Sequence, residues 1–157
     1  MVGVTNAAGA IRGGIDGSGK ATIAWMADDT DASHIMVATI DAAGPSPASM
    51  LSDPGLTSEF PELAVNGAGD VVVAWFQWNG TNSSATGDAP AVSVKAVGGE
   101  FGAAQVLAPY QRRLENTVPV AIDDQGNAAV AGTFSSGPLP MSTLQAGGTF
   151  GWVVKVC

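Results

Sequence analysis

One phrase is written three times in this chain, and it restricts the fold more than any other feature of the sequence. GGIDGSGKATIAW at 13–25, LAVNGAGDVVVAW at 63–75 and VAIDDQGNAAVAG at 120–132 share an order: Asp or Asn, a central glycine, then an apolar run. Aligned on Gly19, Gly69 and Gly126, the residue three before is Asp16, Asn66 or Asp123, and the residue directly after is Lys20, Asp70 or Asn127. Asp and Asn bond to their own following backbone, and glycine takes positive φ without steric cost. With strand-like runs on both sides, each copy predicts a tight β-hairpin.

After each turn a strand is expected, over Ala21–Met26, Val71–Phe76 and Ala128–Phe134. Val71 to Phe76 is apolar without alternation, so both faces of that strand are expected to be buried. A variable polar stretch follows, and then a second repeated phrase. VSVKAVGGEFG at 92–102 is echoed by STLQAGGTFG at 142–151 and more loosely by MVATIDAAGP at 36–45. Each reads as strand, glycine-containing turn, and start of a further strand. One unit is therefore four short strands, A to D, with tight A–B and C–D turns. Four strands in a repeat of about 40–50 residues is the signature of a β-propeller blade. An all-β sandwich is the rival, but a sandwich does not require a repeated sequence. A blade must stack on its neighbours to bury both sheet faces, which accounts for the two-sided apolar B strand.

Composition agrees with turned β structure. The 157 residues fit one domain. Only 13 % are charged, with 21 Gly and 9 Pro, residues that serve turns and weaken helices. At 46 % hydrophobic, the chain has enough apolar surface to order itself.

The stretch LAVNGAGDVVVAWFQWNGT followed by VSVKAVGGEFGAAQVL resembles the roughly fifty-residue propeller-type repeats of bacterial secreted proteins. Their pattern is a strand pair of the type AVD-x-x-G-N-A-V-A-x-W followed by GG-x-F-G. The resemblance covers the chain as three units, 10–58, 59–116 and 117–157, with residues 2–9 as a surplus N-terminal strand. Gly132 stands where the other units have Trp25 and Trp75, and the first unit lacks the aromatic of Phe101 and Phe150. The resemblance implies a propeller fold and an extracellular origin, and no single activity. The N-terminal MVGVTNAAG lacks the basic and apolar regions of a signal peptide.

Closed propellers typically have about four to eight blades. Three blades leave apolar faces and unpaired edges that favour association. The expectation is an all-β chain of three four-stranded β-propeller blades that closes into a ring, six-bladed if two identical chains pair with two-fold symmetry. The alternative is a piece of a longer propeller. Val2–Asn6, matching a C strand, is either a latch onto a neighbouring chain or a frayed boundary.

In such a blade the A–B and C–D turns lie on one face of the ring, and the B–C and D–A loops lie on the other. The short repeated turns fall in the first set. The long individual stretches fall in the second: 27–34, 52–60, 77–90 and 109–117. A regular scaffold with individual loops on one side is how binding sites are commonly carried. Those loops hold Asp28, Asp29, Asp31, His34, Asp53, Glu59, Asp88 and Glu115, together with Trp78, Tyr110, Arg112 and Arg113. Asp28, Asp29, Asp31 and His34 are candidate ligands for a divalent cation, Ca²⁺ or Zn²⁺, with His34 and Asp31 as candidate catalytic groups on an activated water. Otherwise these loops are simply solvated. Trp78 and Tyr110 are candidates for stacking on a ligand, although Trp78 serves equally to plug space between blades. Arg112 and Arg113 either clamp an anion or balance an acidic surface.

The leading expectation is thus a homo-oligomeric propeller domain that binds a small molecule or glycan on its loop face or central channel. The alternative is a hydrolase of esters, lactones or phosphotriesters. No G-x-S-x-G elbow occurs, and DGSGK lacks phosphate-loop spacing. The formal net charge of −8 repels phosphate backbones, so nucleic acid is not expected as a partner. No apolar run approaches the ~20 residues of a membrane span. The single cysteine, Cys157, allows no intrachain disulfide.

Overall fold

The computed structural model describes residues 7–78, 87–108, 117–131, 139–145 and 149–155. All regular structure in them is strand, and no helix is long and apolar enough to cross a membrane. The surplus strand expected at Val2–Asn6 lies outside the described residues, as do Tyr110, Arg112, Arg113, Glu115 and Cys157.

All three repeated phrases form the same hairpin. Strands β1 (Ala7–Ile15) and β2 (Ala21–Asp28) pair with Ile15 opposite Ala21. In β6 (Thr57–Val65) and β7 (Val71–Trp78), Val65 faces Val71. In β10 (Val120–Ile122) and β11 (Ala128–Ala131), Ile122 faces Ala128. Within each turn the glycine N–H donates to the carbonyl three residues before it, Gly19 to Asp16, Gly69 to Asn66 and Gly126 to Asp123, at 3.0–3.1 Å. The φ angles of these glycines are +85°, +100° and +80°. That is the three-residue hairpin loop whose last position must be left-handed. The Asp or Asn side chain completes it. Asp16 Oδ1 accepts from Ser18 and Lys20, Asn66 Oδ1 from Gly69 and Asp70, and Asp123 Oδ1 from Gln125 and Asn127, each through backbone N–H.

Each hairpin continues into an antiparallel sheet of consecutive strands. The first sheet runs β1-β2-β3-β4, with β3 at Ser33–Asp41, β4 at Gly44–Pro45 and β5 (Ser49–Met50) also on β3. The second runs β6-β7-β8-β9, with β8 at Ala89–Lys95 and β9 at Gln105–Val106. The third runs β10-β11-β12-β13, with β12 at Leu139–Gln145 and β13 at Thr149–Lys155. The expected single fourth strand of the first unit is instead split into β4 and β5. Pro45 and Pro47 have no N–H to donate to β3. Ser46 takes over, donating its N–H to Thr39 O at 2.7 Å and accepting from Thr39 N–H on its Oγ at 2.9 Å.

The middle sheet is packed on both faces. Val71, Val73, Trp75 and Ala91 form one buried cluster with Ala24 and Ile35 of the first sheet. Val72, Ala74, Phe76 and Val92 form another with Val118, Ala128 and Val130. Every residue of β7 is buried, as its unbroken apolar run predicts. The flanking sheets differ. In β11, Ala128 and Val130 are buried while Ala129 and Ala131 are exposed. In β2, Thr22 and Ala24 are buried, while Ile23 and Trp25 on the opposite face are only half-buried. Trp25 is therefore less buried than its match to Trp75 predicts, because Trp75 lies between two sheets. Among the described strands, β6 contacts β1, β2 and β3 of the first sheet and β10 of the third.

Candidate functional site

The individual loops and the repeated turns form two distinct clefts. At the loop end, β2 closes on Asp28 and β3 opens on Ser33, leaving a four-residue connection, 29–32. Asp29 organises it. Its Oδ1 accepts from the backbone N–H of Asp31 at 2.9 Å and Ala32 at 2.8 Å, and its Oδ2 meets His34 Nε2 at 2.9 Å. Those backbone donors, helped by His34, hold the Asp29 carboxyl down to about 2. It stays ionised at neutral pH and serves as an acceptor, not as a general acid. Asp28 Oδ1 accepts from Ser33 Oγ at 2.6 Å.

Asp28, Asp29 and Asp31 line an open cleft of about 330 Å³ together with Ser33, Thr57 and Trp78. The structure thus brings Trp78 beside the acidic loop across a gap of fifty residues in sequence. Trp78 is 8 % exposed, so most of its ring is core and only part of it borders the cleft. His34 does not line the cleft. It is buried, bound to Asp29, and its Nδ1 has no hydrogen-bond partner. Among the described residues, no group of three or more His, Cys, Asp and Glu is placed to hold a metal ion. Asp53 caps its own turn by accepting from Gly55 N–H at 2.7 Å, and Asp88 is buried.

At the other end the three turns are joined. Gly17 N–H donates to Gly67 O at 3.0 Å, linking the first turn to the second. Asn66 Nδ2 donates to Asp123 O at 2.9 Å, linking the second to the third. A larger cleft of about 950 Å³ opens beside this chain of turns. Its walls include Lys20, Met50, Leu51, Lys95, Glu100 and Phe101. Sequence reasoning placed the site on the loop side and missed this cleft. The signal for it was the pairing of a lysine directly after the first turn with another at the end of a C strand, Lys20 and Lys95.

Arg12 and Glu62 were missed as well. Arg12 Nε and Nη2 meet the two carboxylate oxygens of Glu62 at 2.8 and 2.9 Å, a bidentate clamp between β1 and β6. The hydrogen bonds to Glu62 raise the Arg12 guanidinium above its ordinary pKa. No spacing in the sequence pairs these two residues, because their meeting depends on how two sheets stack. A scan against protein-family models gives no match, and a search of curated proteins finds no relative.

Proposed function

We propose that this chain is an oligomer-forming β-propeller repeat domain, of the kind its sequence resembles, that binds a small molecule or glycan at its loop-end cleft. The observation that carries the ligand reading is the meeting of Trp78 with Asp28, Asp29 and Asp31 around one cleft. Carboxylates accept hydrogen bonds from ligand hydroxyls, and an indole supplies apolar contact beside them. A polyhydroxylated ligand uses both at once.

Support for blades that stack into a ring is the contrast between sheets. Strand β7 of the middle sheet is buried on both faces, while β2 of the first sheet and β11 of the third each turn one face outward, with Trp25 half-buried and Ala129 exposed. Association of two chains would cover these faces at about 25 cal/mol per Å² of apolar surface. In the sheet-stacking order, the equivalent of the first sheet in one chain would then meet the third sheet of its partner.

The two parts are tested separately. Native mass spectrometry of the purified chain is expected to give two copies, and a strictly single-chain mass defeats the closed ring. For the site, titration with a panel of neutral mono- and disaccharides is followed by amide chemical shifts. Perturbation is expected at Asp29, Asp31 and Ser33, and its absence for every sugar defeats the glycan reading.

A further inference from the structure

We infer that the turn-end cleft is a second binding site, for an organic anion with an apolar body. It lies at the opposite end of the sheets from Trp78 and draws on none of the loop residues.

The charge in the cleft is the first ground. Lys20 and Lys95 are both half-buried within it, and neither ammonium group makes a hydrogen bond or ion pair among the described residues. In a chain of net charge −8, this cleft is a locally neutral patch, with Lys20 and Lys95 set against Asp16 and Glu100 in its lining. Neither carboxylate of the lining bonds to a lysine ammonium, although Asp16 and Lys20 attract each other at longer range. Asp16 is committed to its own turn, where Oδ1 takes three donors: Ser18 N–H at 2.8 Å, Ser18 Oγ at 2.6 Å and Lys20 N–H at 3.0 Å. Glu100 is exposed, at the rim. A ligand carboxylate, sulfonate or phosphate entering the cleft would make the charge-assisted bonds that the protein leaves unmade.

Size and wall chemistry decide what the anion carries. A volume of about 950 Å³ lies at the upper end for small-molecule sites, far beyond an inorganic ion. One wall is apolar. Leu51 and Phe101 pack on the buried cluster around Trp75, and Met50 stands beside them 45 % exposed. An ion alone would leave that wall wet, whereas an alkyl or aryl body covers it.

The test is calorimetric titration of the intact chain with three probes that share one alkyl tail: decanoate, decanol and decyltrimethylammonium. Decanoate is expected to bind at one per chain, at least about tenfold tighter than the other two, and to lose that advantage in high salt. The double variant Lys20→Gln, Lys95→Gln is expected to bind decanoate no better than decanol. Neither ammonium has a hydrogen bond or ion pair to lose among the described residues, only the longer-range attraction of Lys20 to Asp16, and a thermal melt close to that of the parent chain verifies folding. Met50→Glu, a change at an exposed position, places a repelling charge on the wall and is expected to abolish decanoate binding independently. Equal affinity for all three probes overturns the inference, as does full decanoate affinity in the double variant. Absence of decanoate binding at millimolar concentration overturns it too. Amide shifts are expected at Lys20, Lys95 and Phe101, and shifts confined to Asp28–Ser33 overturn the placement.

Discussion

Asn66 donates its side-chain N–H to the backbone carbonyl of Asp123, 57 positions away, at 2.9 Å. The same amide nitrogen reaches Asp70 Oδ2 at 2.8 Å, while its oxygen accepts from two backbone N–H groups of its own turn. Asn66 is 4 % exposed. Only an amide does both tasks, since a carboxylate would fill the acceptor role and lack the donor. The middle repeat therefore departs from the aspartate of its two neighbours for a physical reason.

Asn66→Asp should accordingly be the costly exchange among the three turns. It removes the bond to Asp123 and sets a second carboxylate against Asp70. A loss of about 1–3 kcal/mol in urea-unfolding free energy is expected, and it should shrink in acid as the new carboxyl protonates. Asp123→Asn keeps the acceptor for the backbone N–H groups of Gln125 and Asn127, loses only the exposed bond that Oδ2 takes from Asn127 Nδ2, and should cost well under half as much.

Gly17 and Gly19 share a turn but are glycine for different reasons. A Cβ on Gly17 would sit 2.6 Å from Gly67 O, whereas a Cβ on Gly19 would meet nothing within 4 Å. Gly19 needs only the left-handed conformation, at φ +85°. Gly19→Asn should therefore cost under about 1 kcal/mol, because Asn tolerates that region. Gly17→Asn should break the turn-to-turn bond and cost more. Comparing the two thermal melts checks the distinction, and reversed order would contradict it.

Trp75 and Trp25 occupy matching places in their repeats but not matching environments. Trp75→Ala is expected to cost about 3–5 kcal/mol, as for a large side chain in a packed core. Trp25→Ala should cost no more than about half of that in the same denaturant series. Equal losses would mean that Trp25 is as fully packed as Trp75 in solution.

The acid limb of the stability curve should carry a contribution from Asp29. Its folded pKa of about 2 lies below the ordinary value of 3.8, so the carboxylate stabilises the fold above that ordinary value. The contribution is lost as pH falls from about 4 towards 2. In Asp29→Asn the amide oxygen still accepts from Asp31 and Ala32, but nothing titrates. The variant should show a shallower decline over that interval in urea melts taken at a series of pH values. Asp16 and Asp123, also lowered, titrate in both proteins and cancel in the comparison.

Local chemistry alone specified much of this molecule. Asp16, Asn66 and Asp123 with their glycines dictate three like hairpins, because a turn's hydrogen bonds are made within five residues. The unbroken apolar run from Val71 to Phe76 likewise announced a strand buried on both faces, since side chains that alternate in direction were all apolar. Other features were decided only when the sheets packed. Trp25 looks like Trp75 in sequence, yet burial depends on whether a second sheet covers that face. Nothing near Arg12 names Glu62 as its partner, and the two meet only where β1 lies against β6. Asp29 was legible as a loop carboxylate, but its low pKa comes from backbone groups aimed at it by a four-residue connection. The turn-end cleft arises between segments as distant as Lys20 and Lys95, and it exists only because the packed turns leave space beside them. Contacts within a turn follow from neighbouring residues, whereas contacts between sheets follow from the stacking of whole units.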